Sequence, residues 1–180
     1  MLHRFPLRSG RSAGPELLLL ALSLALGACN YGFQGGGGFP EDIRTLFIET
    51  FENETSQFEL DQQIFRKLQD RIPRALGVRP GGREIADALV TGRIVRYEDV
   101  AQNYRAGTTD ISRPQVLAHQ VQIVVSAQIV DTKRNLILWE STSIQGIGEW
   151  MLDTENVERG RERAIEQIVQ KIIDGAQSQW

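Results

Sequence analysis

The sequence contains one cysteine and two histidines, and this limits the chemistry open to the chain. A single cysteine cannot form an intramolecular disulfide, and no Cys and His residues have the spacing of a zinc site. Catalysis needs a constellation of reactive groups, yet His119 is the only histidine from residue 29 onward. We therefore predict no metal, no cofactor and no enzymatic activity.

The sequence also lacks a long apolar run and an excess of positive charge. The ten residues Leu17–Leu26 form the longest apolar run, whereas a membrane-spanning helix needs about 20. The chain has 20 basic and 23 acidic residues, a net charge of −3. Three of those basic residues and one acidic residue precede Cys29, which leaves 17 against 22 and a net charge of −5. This balance does not suit a protein that covers nucleic-acid phosphates.

The N-terminus has the order of a secretory signal: a basic start, the apolar run, and then small residues. Leu26-Gly27-Ala28-Cys29 resembles the lipobox of bacterial lipoproteins, in which cleavage before the cysteine follows lipidation of its thiol. The alternative, an ordinary signal with an incidental cysteine, would leave an unpaired thiol in an oxidising compartment. We predict a signal peptide over residues 1–28 and lipid attachment at Cys29.

Residues 29–42 are predicted to be a tether, because Gly35–Gly38 is an unbroken glycine run. No Gly-Lys-Ser/Thr or G-x-G-x-x-G spacing follows, so a nucleotide-binding loop is disfavoured. The residue after the cysteine is Asn30, and not the aspartate that resembles an inner-membrane retention signal. Outer-membrane sorting is therefore expected, with membrane attachment through the lipid on Cys29.

Residues 43–180 are predicted to form a single domain. Strands are expected where apolar and β-branched residues run or alternate, at Arg44–Phe51, Asp87–Asp99, Val116–Asp131 and Leu136–Ile147. An apolar stripe predicts a helix over Phe58–Ile72, which Pro73 limits or kinks. A second helix is expected to begin at an N-cap at Asp153 or Thr154 and to run to about Ala176. The 131–135 segment is predicted to be a hairpin turn, with Asn135 in a left-handed conformation.

This β-α-β-β-β-α order predicts an α+β fold, because each helix has one apolar stripe to bury. We expect a two-layer sandwich, with two helices packed on one face of a four-stranded mixed sheet. The last three strands would be antiparallel, with a crossover from the first. The other face of the sheet is more polar and would meet solvent or a partner.

Several short motifs, in order, resemble the LPS-assembly lipoprotein (LptE) family over nearly all of the mature chain. They are Cys29-Asn30-Tyr31-Gly32-Phe33, Pro40 with Ile43, Phe51-Glu52-Asn53-Glu54-Thr55, the run Ala86 to Ile94 with Tyr97, Leu138-Trp139-Glu140, and Gly146-Ile147-Gly148-Glu149-Trp150. The chain departs from the family's usual glycine at Asn30 and at Asn135.

The resemblance implies a non-enzymatic outer-membrane lipoprotein of lipopolysaccharide transport. Such proteins help to assemble the translocon β-barrel, LptD, and contact lipopolysaccharide on its way to the outer leaflet. An alternative remains open, because an F-x-N-x-T motif after a first strand also occurs in lipoproteins resembling the TolB N-terminal domain. Those proteins act as activators or secretion subunits of other envelope complexes.

Lys133 and Arg134 are the candidate lipopolysaccharide-binding residues, since the predicted turn places two long cationic side chains at a loop tip. Arg105 and Arg113 should lie at the opposite end of the sheet, so the two pairs would not share a site. The alternative is that all four are solubilising surface charges. Structural roles are favoured for His119, Trp139, Asn53 and Thr55, and helix-dipole compensation for the acidic residues between 153 and 162.

Overall fold

The computed structural model describes residues 39–105 and 115–179, and the following elements belong to that part of the chain. The N-terminal residues, with Cys29, lie outside it. Six strands and two helices occur in the order β1, β2, α1, β3, β4, β5, β6 and α2. Their bounds are β1 Thr45–Ile48, β2 Glu52–Asn53, α1 Leu60–Leu76, β3 Arg79–Pro80, β4 Ala88–Arg105, β5 Gln115–Asp131, β6 Leu136–Met151 and α2 Val157–Ser178.

The predicted α+β class, two helices with a mixed sheet, is confirmed, but the predicted four strands and their order are wrong. The strands lie in the order β3-β1-β4-β5-β6, and β2 also pairs with β4. Strands β2 and β3 are each two residues long, too short for any alternation to be visible in the sequence. Their partners are distant: Glu54 N donates to Ile94 O, and Arg79 N donates to Arg44 O.

The sheet is parallel on one side and antiparallel on the other. Strand β1 runs parallel to β3 and β4, and β2 runs parallel to β4. The long strands β4, β5 and β6 are antiparallel neighbours, as predicted. Pro80 lies on the β3 edge, where its missing N–H costs the sheet nothing.

One face of the sheet is buried under the two helices in a single core. On β5 every second residue is buried, namely Val121, Ile123, Val125, Ala127 and Ile129. These residues share one cluster with the apolar stripes of α1 and α2. The intervening β5 side chains are partly exposed on the opposite face, so the predicted difference between the two faces is present.

Helix α1 passes through Pro73 and ends three residues later, beyond the predicted end at Ile72. Proline costs roughly 3 kcal/mol in a helix interior because it removes a hydrogen bond and clashes with the preceding turn. Pro73 and Leu76 are both buried, and burial of such side chains offsets this cost. Gly77 then ends the helix with a left-handed backbone, φ 71°.

Helix α2 begins at Val157, with Asn156 as its N-cap, so the predicted caps Asp153 and Thr154 are wrong. The Asn156 side chain accepts a hydrogen bond from Arg159 N. The two predicted cap residues lie in a turn, where Thr154 N and Glu155 N both donate to Met151 O. Among the described residues, no helix is long and apolar enough to cross a membrane.

Candidate functional site

The candidate site is the turn between β5 and β6, residues 132–135, which carries Lys133 and Arg134. Asp131, almost fully buried, accepts hydrogen bonds from Lys133 N at 2.8 Å and Arg134 N at 2.9 Å through Oδ1. Asn135 has a φ of 51°, the left-handed conformation that the sequence predicted. The buried carboxylate and the left-handed residue fix the backbone that carries both cations.

Asp87 connects this turn to the start of the sheet. Its Oδ2 accepts hydrogen bonds from Arg44 N at 3.0 Å, from Thr45 N at 2.9 Å and from Thr45 Oγ1 at 2.8 Å. On the other side, Thr132 N and Thr132 Oγ1 each donate to Asp87 O at 3.0 Å. Asp87, just before β4, therefore hydrogen-bonds both to the start of β1 and to the turn.

The pKa of Asp87 is held well below its ordinary value. The largest cause is the hydrogen bond from Lys133, followed by those from Thr45 Oγ1 and from the backbone amides of Arg44 and Thr45. Each donor stabilises the charged carboxylate, and their sum exceeds the opposing effect of burial.

Both candidate cations are paired with carboxylates. Lys133 Nζ lies 2.5 Å from Asp87 Oδ1, and Arg134 Nε lies 2.7 Å from Asp131 Oδ2. Arg134 also contacts Asp42, at the end of the predicted tether. The side chains remain 71% and 53% exposed, so they reach solvent despite these contacts. Sequence reasoning located the two cations but missed their acidic partners, two of which lie more than 40 residues away along the chain.

The structure separates this site from the other basic pair considered. Ala88 pairs with Asp131 at the turn, whereas Arg105 pairs with Gln115 at the far end of the same two strands. Arg105 is therefore at the opposite end of the sheet, as expected, and Arg113 lies outside the described residues.

His119 and the tryptophans Trp139 and Trp150 do not contribute to the turn. His119 stacks on Trp150 with ring centroids 4.6 Å apart, and its Nδ1 lies 3.2 Å from Asp99 Oδ1. Trp139 is 6% exposed and packs against Gly175 of α2, so it is a core residue. Tyr31 and Phe33, the aromatic residues of the first family-like motif, lie outside the described residues.

The F-x-N-x-T motif shapes a loop. Asn53 Oδ1 accepts hydrogen bonds from Thr55 N at 3.0 Å and Thr55 Oγ1 at 2.8 Å, while Asn53 Nδ2 donates to Gln57 O at 2.9 Å. The polar groups of Asn53 and Thr55 therefore form hydrogen bonds within the loop that leads into α1. Within the described ranges there is also no group of three or more potential metal ligands.

Comparison with known proteins gives one match by family and several by structure. The sequence model of the lipopolysaccharide-assembly family, LptE, matches residues 43–175. No curated protein matches the sequence. The PelC dodecamer from Paraburkholderia phytofirmans is 11% identical, with a TM-score of 0.49, over 78% of this chain and 94% of that one.

Two lipoproteins of solved structure are also similar. One, from Neisseria meningitidis, is 9% identical over 73% of this chain and 96% of that one, with a TM-score of 0.45. Lipoprotein B from Nitrosomonas europaea is 15% identical over 79% of this chain and 90% of that one, also with a TM-score of 0.45. At these identities and scores the structures support no argument about function.

Proposed function

The chain belongs to the lipopolysaccharide-assembly (LptE) family, and on that premise we propose that it is an outer-membrane lipoprotein of lipopolysaccharide transport. It is anchored through Cys29, assists assembly of an LptD-type translocon β-barrel, and takes part in delivery of lipopolysaccharide to the outer leaflet. The family match carries this proposal, because it extends from just before β1 almost to the end of α2. The lipobox-like sequence ahead of the matched region supports the anchor.

Lipidation is tested by Cys29→Ala. Without the thiol, neither lipid transfer nor the cleavage that depends on it can occur, so the variant should accumulate as an unprocessed precursor. Globomycin should have the same effect on the wild type. A variant that is cut normally and released as soluble protein would contradict the lipobox assignment.

The barrel partner is tested by affinity purification of the lipidated protein from membranes of its source organism. A large β-barrel protein in the eluate is the expected result. A peptidoglycan synthase or a secretion complex in its place would favour the TolB-like alternative and contradict the proposed role.

For lipopolysaccharide, the turn cations Lys133 and Arg134 are the proposed contact, through the phosphates of lipid A. Both cations are exposed, at 71% and 53%, so a phosphate can reach them although their carboxylate partners, Asp87 and Asp131, are only 12% and 1% exposed. If the cations moved to a phosphate, Asp87 Oδ2 would keep the donors of Arg44 and Thr45, and Asp131 Oδ1 would keep two backbone N–H groups. Asp131 Oδ2 is buried without a hydrogen bond, so the phosphate would have to share Arg134 with it.

Binding of lipopolysaccharide to the purified domain, measured directly at two ionic strengths, tests this contact. Lys133→Glu with Arg134→Glu should weaken binding markedly, and wild-type binding should weaken as salt rises. The pair Lys133→Gln and Arg134→Gln avoids placing new carboxylates beside Asp87, and it should have the same direction of effect. Arg66→Glu with Arg74→Glu, two exposed positions on α1, is the matched control and should bind as the wild type does.

Unchanged affinity in both turn variants, with folding verified by circular dichroism, would contradict the assignment of this turn. No binding by the wild type would remove direct lipopolysaccharide contact from the proposal and leave barrel assembly as the role to test.

A further inference from the structure

Three of the exposed apolar side chains lie at the end of the domain that carries the 132–135 turn, which we call the turn end. Ile85 is 75% exposed, and Leu136 and Ile137 are 50% and 52% exposed. Ile85 directly precedes Ala86, whose carbonyl oxygen accepts a hydrogen bond from Thr132 Oγ1 at 2.6 Å. Leu136 pairs with Asp131 across the β5–β6 ladder. The three residues thus come from two separate segments and lie at the same end of the sheet, with Leu136 and Ile137 on opposite faces of β6.

Positive and negative charges balance at this end. Residues 41–44, 79–87 and 131–134 together hold five basic and five acidic residues. The principal cations there are paired: Lys133 with Asp87, Arg134 with Asp131 and Asp42, and Arg83 with Glu49. Taken together, these segments have no net charge with which to attract an anionic surface, although the exposed Lys133 and Arg134 can still contact an individual phosphate.

The predicted tether enters the domain at the same end. Ile43 N donates to Pro40 O, Asp42 contacts Arg134, and Arg44 N donates to Asp87. Twelve residues lie between Cys29 and Asp42, and these thirteen steps along the chain span at most about 45 Å when fully extended.

Tether length decides which end of the domain lies nearer the membrane. Between Asp131 and Ala118 the sheet is 13 residues long, or about 43 Å at roughly 3.3 Å per residue. To bring the far end to the membrane, the tether would have to run back along the whole sheet, almost fully extended. If the turn end faces the membrane, the tether need not be extended and can adopt more conformations.

From these observations we propose that the turn end rests on the phospholipid leaflet that holds the acyl chains of Cys29. Ile85, Leu136 and Ile137 enter the headgroup region, where partial burial of apolar side chains favours the contact. The inference rests on the proposed lipid anchor, and it adds an orientation and a second contact to it. Because the charges balance, this contact is insensitive to salt, unlike the proposed binding of lipopolysaccharide by Lys133 and Arg134.

The far end supplies a matched control. Met151 and Leu152 are 60% and 51% exposed and lie where β6 ends, opposite the turn end. Their exposure is similar to that of Leu136 and Ile137, but they should stay in water.

The test uses the lipidated full chain in vesicles of phosphatidylethanolamine and phosphatidylglycerol. Acylation occupies the Cys29 thiol, so an introduced cysteine is the one thiol open to an environment-sensitive fluorophore. Ile85→Cys and Ile137→Cys should give blue-shifted emission that doxyl-labelled lipids quench, at low and at high salt. Leu152→Cys should give the emission of a water-exposed probe, without quenching.

Flotation of the vesicles separates the two hypotheses. If the protein floats with the vesicles but the probes at 85 and 137 behave like the probe at 152, the orientation is wrong and the anchor stands. If the protein does not float, the anchor is wrong and this inference falls with it.

Discussion

Lys171 Nζ of helix α2 donates a hydrogen bond to the backbone carbonyl oxygen of Gln145 on the edge strand β6, at 2.7 Å. Two further side chains of α2 make equivalent contacts. Gln167 Oε1 accepts from Ile147 N at 3.1 Å, and Arg163 donates to Glu149 O. Four helical residues advance about 6 Å and two strand residues about 6.6 Å, so side chains at 163, 167 and 171 stay in step with 149, 147 and 145. Helix α2 thereby satisfies backbone groups of β6 at the free edge of the sheet.

Removing these contacts should promote self-association, because an uncovered strand edge pairs readily with another chain. We expect Gln167→Ala with Lys171→Ala to form concentration-dependent oligomers in sedimentation velocity. Lys67→Ala with Gln170→Ala removes the same residue types from helix surfaces that do not face β6. This variant should sediment as the wild type does. If both double variants sediment equally, the contacts from α2 to the β6 backbone do not protect the edge of the sheet.

The backbones of α2 and β6 approach so closely that the contact tolerates only glycine. A Cβ added at Gly148 would collide with the carbonyl group of Gly160, and one at Gly146 would collide with that of Ala164. Backbone atoms cannot step aside as a flexible side chain can. Gly148→Ala should therefore lower the free energy of unfolding by about 1–3 kcal/mol or more, as overpacking does.

Gly82→Ala is the control for this substitution, since its added Cβ would meet only Ile85 Cγ1 at 3.9 Å, an ordinary contact. Urea denaturation of both variants measures the difference. A loss at Gly82 as large as that at Gly148 would show that the close helix–strand contact is not the cause.

The buried stripe of α2 gives a third prediction, because Ile168 is fully buried. Ile168→Asp would place a carboxylate in the core, so we expect a loss of at least about 4 kcal/mol or failure to fold. Glu166 lies on the exposed side and pairs with Lys67 at 2.7 Å. Glu166→Ala should cost no more than about 1 kcal/mol, as for other exposed ion pairs. Thermal melts that show the two variants equally stable would contradict the assignment of the helix faces.

The lowered pKa of Asp87 predicts that the stability of the fold depends on pH. Its pKa is lowered in the folded state, so its contribution is fully present above the ordinary Asp value of 3.8 and is lost as pH falls below it. Asp87→Asn should be less stable than the wild type at pH 7, and the difference should shrink as pH falls from about 4 toward the lowered pKa.

Calorimetry at pH 7, 4 and 3 measures that difference. Asp153→Asn, an exposed change in the turn before α2, is the control and should leave the melting temperature close to that of the wild type. A difference between Asp87→Asn and the wild type that stays constant over this range would contradict the role given to the carboxylate.

The sequence by itself determined the elements whose apolar residues repeat regularly. The alternation along β5 and the stripes of α1 and α2 predicted the buried residues, since periodicity of 2 or 3.6 places side chains on one face. The left-handed Asn135 and the loop role of Asn53 and Thr55 were also predicted, because those contacts are local. The ordered motifs from Cys29 to Trp150 indicated the family.

Tertiary structure alone decided what depends on residues distant in the chain. The two-residue strands β2 and β3 form only because β1 and β4 offer them hydrogen-bonding partners. They are too short to have a sequence pattern that predicts them. Helix α1 continues through Pro73 because packing outweighs a local penalty. Likewise, the sequence shows that Lys133 and Arg134 are cations, but only the fold shows that Asp42 and Asp87 lie beside them. Their local charge balance therefore follows from long-range contacts that the sequence does not display.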